Sequence, residues 1–80
     1  MIGIVKREAM TVPASNVKDG DILTKSYYQE GNGISVDYGK VLGEPWPGKH
    51  HGESMVTIVN TFGEQEIISL QYSATIRRQV

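Results

Sequence analysis

Apolar positions recur along this chain in short alternating runs rather than in helical stripes. No window of a dozen residues holds a 3.6-residue apolar stripe that is clear of glycine and proline. Nine glycines and three prolines break the chain every few residues. The runs between them predict five strands, at 22–28, 34–42, 55–60, 65–70 and 75–80. In the first, Ile22, Thr24, Ser26 and Tyr28 share one face, and Leu23, Lys25 and Tyr27 share the other. Apolar residues on both faces fit a strand curling round a small barrel. Glu30-Gly31-Asn32-Gly33 reads as a hairpin turn, because Asn-Gly tolerates positive φ. Gly39, inside the second strand, predicts a bulge or bend. The third strand carries four β-branched residues in a row, Val56-Thr57-Ile58-Val59.

The segments between the strands have characters of their own. Residues 14–21 read as a turn segment, with Val17 anchored in the core and Gly20 at the tight position. Residues 43–54 hold three glycines and two prolines and read as one long irregular loop. Gln71-Tyr72-Ser73-Ala74 reads as a short connector with one turn of 3₁₀ helix. Residues 1–10 form an arm or edge strand, and residues 11–80 form the single small domain.

Composition narrows the function classes. At 80 residues the chain is one domain, and a deep substrate pocket is hard to build on so small a core. A formal net charge of -1 disfavours a phosphate-driven nucleic-acid binder. With no cysteine, disulfides, thiolate metal sites and cysteine nucleophiles are excluded. The longest apolar runs are far short of the ~20 residues that span a bilayer. The opening Met1-Ile2-Gly3-Ile4-Val5-Lys6-Arg7 lacks the order of a secretory signal, so the expected location is the cytoplasm.

Val12-Pro13-Ala14-Ser15, then Val17-Lys18-Asp19-Gly20-Asp21-Ile22, precede the first strong strand, and a late apolar strand leads into the terminal one. In this the chain resembles small Src-homology-3-like β-barrels, and more closely the uncharacterised barrel proteins of actinobacteria and their phages. The resemblance covers about residues 11–80. It implies a five-stranded barrel with a long loop between the second and third strands. It also implies a phage or actinobacterial setting, with host cytoplasm as the location if phage-encoded. The clustered tyrosines and acidic residues of proline-motif binders are not matched, so that recognition is not carried over.

Several residue groups carry candidate chemistry. Pro45-Trp46-Pro47 puts a lone tryptophan between stiffening prolines on a polar loop, a pattern suited to an interaction anchor. The competing reading folds Trp46 back as a lid on the barrel end. Tyr27, Tyr28, Tyr38 and Tyr72 suit an aromatic patch, with barrel filling as the plainer reading. His50-His51-Gly52-Glu53 has metal-ligand residue types, but adjacent residues on an extended loop point apart, and no metal or other cofactor is expected. Ser54 beside His51 and Glu53 has the ingredients of a triad without its geometry. Lys25, Lys40, Arg77 and Arg78 suit a basic strip, against the plainer reading of a charged edge strand.

These readings converge on a non-enzymatic interaction module. The expected partner is a protein, host-derived in the phage setting, held by Trp46, Tyr27, Tyr28, Tyr38, His50 and His51. The alternative is a nucleic-acid-binding barrel that uses Lys25, Lys40, Arg77 and Arg78 with tyrosine stacking. Self-association is compatible with either, because so small a core gains from extra burial.

Overall fold

In the computed structural model the described residues are 9–29 and 32–78. They form β1 (Met10–Pro13), a 3₁₀ turn (Ala14–Asn16), β2 (Ile22–Gln29), β3 (Asn32–Pro47), β4 (Glu53–Val59), β5 (Gln65–Gln71) and β6 (Ser73–Arg77). All strand pairs are antiparallel, in one sheet of order β1-β6-β2-β3-β4-β5. The fold is all-β, as the apolar pattern predicts. No helix among the described residues is long and apolar enough to cross a membrane.

The expected five-stranded closed barrel is corrected to six strands in an open sheet, with β1 and β5 at its edges. The reason lies at Tyr72, the single residue between β5 and β6. It holds a left-handed φ of 63° and turns the chain sharply. After that turn β6 leaves β5 and pairs with β1 and β2. The expected 3₁₀ turn at this connector is instead at Ala14–Asn16. Met10 already belongs to β1, opposite Ile76, while residues 1–8 lie outside the described residues.

Every strand contributes to one core. Val12, Val17, Leu23, Val41, Val56, Ile58, Leu70, Ala74 and Ile76 are buried together with Ala14 of the 3₁₀ turn. In β4 the alternation is complete, with Ser54, Val56 and Ile58 inward and Met55, Thr57 and Val59 outward. In β2 it is broken. Leu23 and Thr24 are both buried, because the register against β3 slips between them and leaves Tyr38 as the extra residue. Thr24 satisfies its hydroxyl by donating to the Val36 carbonyl at 3.1 Å. Gly39, flagged in the sequence, stands next to this bulge. A Cβ there would lie 2.6 Å from Ile58 Cδ1, so the core packs directly on its backbone.

Two boundaries move from their predicted places. The hairpin pairs Gln29 with Asn32, so Asn32 and Gly33 are strand residues, and the two residues between Gln29 and Asn32 lie outside the described set. The long irregular loop at 43–54 shrinks to the turn between Pro47 and Glu53, because β3 continues through Pro47. After the bulge between Leu42 and Trp46, β3 pairs again with β4, Trp46 opposite Met55. By then β2 has ended, so β3 has β4 on one side only, and Pro45 and Pro47 cost no ladder hydrogen bond on the other.

The Val17-Lys18-Asp19-Gly20-Asp21 motif proves to be a structural lock. Asp21 is 2% exposed. Its carboxylate accepts the Lys18 N–H at 2.8 Å and a two-pronged donation from Arg78, Nε and Nη2, both at 3.0 Å. Arg78 Nη2 also donates to the Asn16 carbonyl at 3.0 Å. That fork ties the end of β6 to the 3₁₀ turn and to the entry of β2. Asp19 accepts the Gly43 N–H at 2.7 Å, which pins the β3 bulge.

Candidate functional site

Trp46 sits on β3 opposite Met55, and therefore on the outer face of the sheet. It is 41% exposed and is absent from the buried core, so the lid reading does not describe it. The flanking prolines hold the strand stiff on either side of it. Beyond Pro47 the chain turns tightly, with Gly48 N–H donating to the Glu53 carbonyl at 3.0 Å and Glu53 N–H to the His50 carbonyl at 3.1 Å.

The Glu53 carboxylate organises this turn. Oε1 accepts the backbone N–H of Lys49 at 2.8 Å and of His50 at 3.4 Å, and Oε2 accepts the Ser69 hydroxyl at 2.6 Å. The Ser69 hydrogen bond, helped by the two backbone donors, holds the Glu53 carboxyl below the ordinary carboxylate range. A side chain at Gly48 would collide with that carboxylate. Glu53 is thus committed to holding the turn. Ser54 is buried at 6% exposure. The arrangement does not assemble a nucleophile with its base.

The connector between β5 and β6 brings a second aromatic against this turn. Tyr72 is the only non-glycine residue with positive φ among the described residues. For an L-residue with a large side chain this conformation costs on the order of 1–2 kcal/mol. Its backbone is fixed on both sides, N–H donating to the Gly52 carbonyl at 2.8 Å and carbonyl accepting the Ala14 N–H at 3.0 Å. The ring lies over Gly52, where a Cβ would come within 2.7 Å of Cδ1 and Cε1. Tyr72 is nevertheless 69% exposed.

Trp46 separates two open hollows. One, of about 390 Å³, is walled by Trp46, Tyr72 and Pro45, with Ala14 and Ser54 among its lining. The other, of about 430 Å³, lies between Trp46, Met55, Lys49 and His50. Of the sequence-predicted partner residues, the structure brings Trp46 and His50 together. His51 is exposed but lines neither hollow. Tyr38 is elsewhere, half-buried at the β2–β3 bulge with Lys25 Nζ 5.1 Å from its ring centre. Burial there raises its phenol pKa. The side chains of Tyr27 and Tyr28 lie outside the described residues. Tyr72 and Met55 complete the surface around Trp46. The sequence placed Tyr72 only in an aromatic patch with Tyr27, Tyr28 and Tyr38; its place beside Trp46 depends on a backbone angle and on what that angle puts beside Gly52.

The basic residues are also spread out. Arg77, Ile22 and Lys40 form one row across β6, β2 and β3. Arg77 Nε meets Asp37 Oδ1 at 3.1 Å. Arg78 is taken up by Asp21, whose hydrogen bonds raise the guanidinium pKa further. Among the described residues no three His, Asp or Glu side chains converge as metal ligands. No family model, curated protein or solved structure matches the chain.

Proposed function

We propose that this chain is a non-enzymatic interaction module that binds a protein partner at the surface shared by Trp46 and Tyr72. One observation carries the reading. Tyr72 is held in a costly left-handed conformation by two backbone hydrogen bonds, and the result is an exposed ring on the same hollow as Trp46. Backbone strain of this kind persists where the surroundings over-determine it, and it clusters at binding sites. Tryptophan and tyrosine are the residues most often found as interaction anchors. Pro45 and Pro47 stiffen the strand under Trp46, which lowers the entropy lost on binding. The resemblance to small barrels of actinobacteria and their phages supports a cytoplasmic cellular protein as the partner. The all-antiparallel architecture and the abrupt connection into the last strand support reading this sheet as a relative of the Src-homology-3-like barrel.

The test separates binding from folding. Trp46→Ala removes one anchor, and Tyr72→Gly removes the other while relieving its backbone strain. Each variant should lose about tenfold or more in affinity for a captured protein partner, the scale of a hot-spot residue. Neither thermal melt should fall by more than a few degrees. Equal binding by the native chain and both variants would remove this reading.

The competing proposal is a nucleic-acid face on the Arg77–Ile22–Lys40 row. That row includes the Asp37 carboxylate on Arg77, which opposes phosphate. Retardation of single- or double-stranded nucleic acid at low salt, abolished by Lys40→Glu but not by Trp46→Ala, would favour it over the protein-binding reading.

A further inference from the structure

The outer face of β5 carries the most exposed apolar side chain in any described strand, Ile67, at 61%. Ile67 stands opposite Thr57, and Thr57 opposite Leu42, so a row of Leu42, Thr57 and Ile67 crosses β3, β4 and β5. At Ile67 the row stops, because among the described residues no strand lies along the other side of β5. The far end of β5 is occupied. Ala14 N–H reaches the Tyr72 carbonyl, so the 3₁₀ turn crosses the chain there, and Leu70 is buried. The open stretch is therefore 65–69, and Ile67 is its centre.

We propose that two copies of this chain pair antiparallel along β5, with the two-fold axis passing beside Ile67. Pairing that uses the open stretch and no more sets Gln65 opposite Ser69 of the other copy, and Glu66 opposite Ile68. Ile67 then meets its own copy directly, as a two-fold interface requires. The outer apolar row becomes continuous, running from Leu42 through Thr57 and Ile67 into the same residues in reverse order. The sheet grows from six strands to twelve across the pair. β5 lacks two of the usual guards of an exposed edge and keeps one, the charge of Glu66. It has no proline and no lysine, and its register against β4 is unbroken. Its one charge, Glu66, is held by Asn60 Nδ2 at 2.8 Å. A second copy is the occupant that meets both conditions, since it presents an open stretch of the same length and an apolar row at the same level. The pairing is separate from the Trp46–Tyr72 surface and does not depend on its having a ligand.

The chain has no cysteine, so one introduced thiol reports on its own neighbourhood. In an antiparallel ladder, directly opposed residues have Cα atoms about 4.5 or 5.5 Å apart, within disulfide reach. Ile67→Cys should oxidise to a covalent dimer, whereas Phe62→Cys, at a position 85% exposed in the β4–β5 turn, should not at the same concentration. In sedimentation, Ile67→Lys should raise the dimer dissociation constant about tenfold or more, while Trp46→Ala leaves it unchanged. A native chain that sediments as a monomer of 8.8 kDa at every concentration would overturn the proposal. Cross-linking of Ile67→Cys no faster than Phe62→Cys would overturn it equally.

Discussion

β1 and β5 both end the sheet, yet β1 has four residues and closes on Pro13, whereas β5 has seven and contains no proline at all. Pro13 has no N–H to offer a further strand, and the 3₁₀ turn follows it at once. On that side the Arg78 fork onto Asp21 and Asn16 holds the strand ends together. On the other side β5 is tied laterally by the Ser69 to Glu53 bond and presents Ile67 outward. Small β domains usually blunt their edges with short strands, prolines or charges. Here β1 has the first two of these, whereas β5 has neither and carries a single charge, Glu66. An edge left flat in this way is suited to receive another strand, which is the physical content of the proposed pairing.

The sharpest way to break the comparison is to remove the lock on the β1 side. Asp21→Ala deletes a buried carboxylate, orphans the Lys18 N–H and releases Arg78. Denaturant unfolding should show a loss of about 2–3 kcal/mol. A loss below about 0.5 kcal/mol, the usual range for surface changes, would mean that the fork does not hold this side.

A matched pair of truncations then compares the two edge strands directly. Val12 of β1 is 7% exposed and Ile67 of β5 is 61% exposed. Val12→Ala should cost about 1.5 kcal/mol, from two buried carbons and the space they leave. Ile67→Ala should leave monomer stability within about 0.5 kcal/mol, measured at concentrations too low for pairing. Equal losses would erase the distinction between a core-facing and an outward-facing edge.

The smallest effect concerns acid. The Glu53 carboxyl titrates lower in the folded chain than in the unfolded one, chiefly because Ser69 donates to its charged form. Its contribution is therefore complete above the ordinary carboxylate pKa and is lost as pH falls through the lower folded value. Melts taken from about pH 6 down to about pH 3 should show a shallower decline for Glu53→Gln than for the native chain. Parallel declines would show that the β4–β5 tie does not depend on this ionisation.

Much of the framework was legible from residues 22 to 77. The β-branched run at 56–59 correctly indicated a strand, and the structure buries one of its faces. Val17 lies in the core as expected, and Gly39 marks the bulge. The misreadings have a common origin. Gly43, Pro45 and Pro47 are strong local signals for a loop, but a prolines-bearing segment with a neighbour on one side only remains a strand. Asn32-Gly33 is a strong local turn signal, but the pairing of Gln29 with Asn32 sets the turn earlier. In each case pairing with a distant segment outweighed a preference read from neighbours in sequence.

The candidate site divides in the same way. Trp46 stood out because a lone tryptophan between prolines is locally unusual, and His50 came with it by proximity. Tyr72 was read only as one of four aromatic-patch residues, without its link to Trp46, and Tyr38 was grouped with Trp46 though it sits at the β2–β3 bulge and lines neither hollow.

Residue types and their spacing, taken alone, determined an all-strand chain without disulfides and pointed to Trp46 as an exposed aromatic. Tertiary structure alone decided that the sheet formed by the described residues stays open, that Tyr72 and Trp46 line one hollow, and that β1 and β5 are its two edges. Alternation is a property of neighbouring residues, each turned by the same backbone geometry. Register, edge position and a strained φ are properties of segments far apart in sequence, and they are fixed only when the whole sheet is assembled.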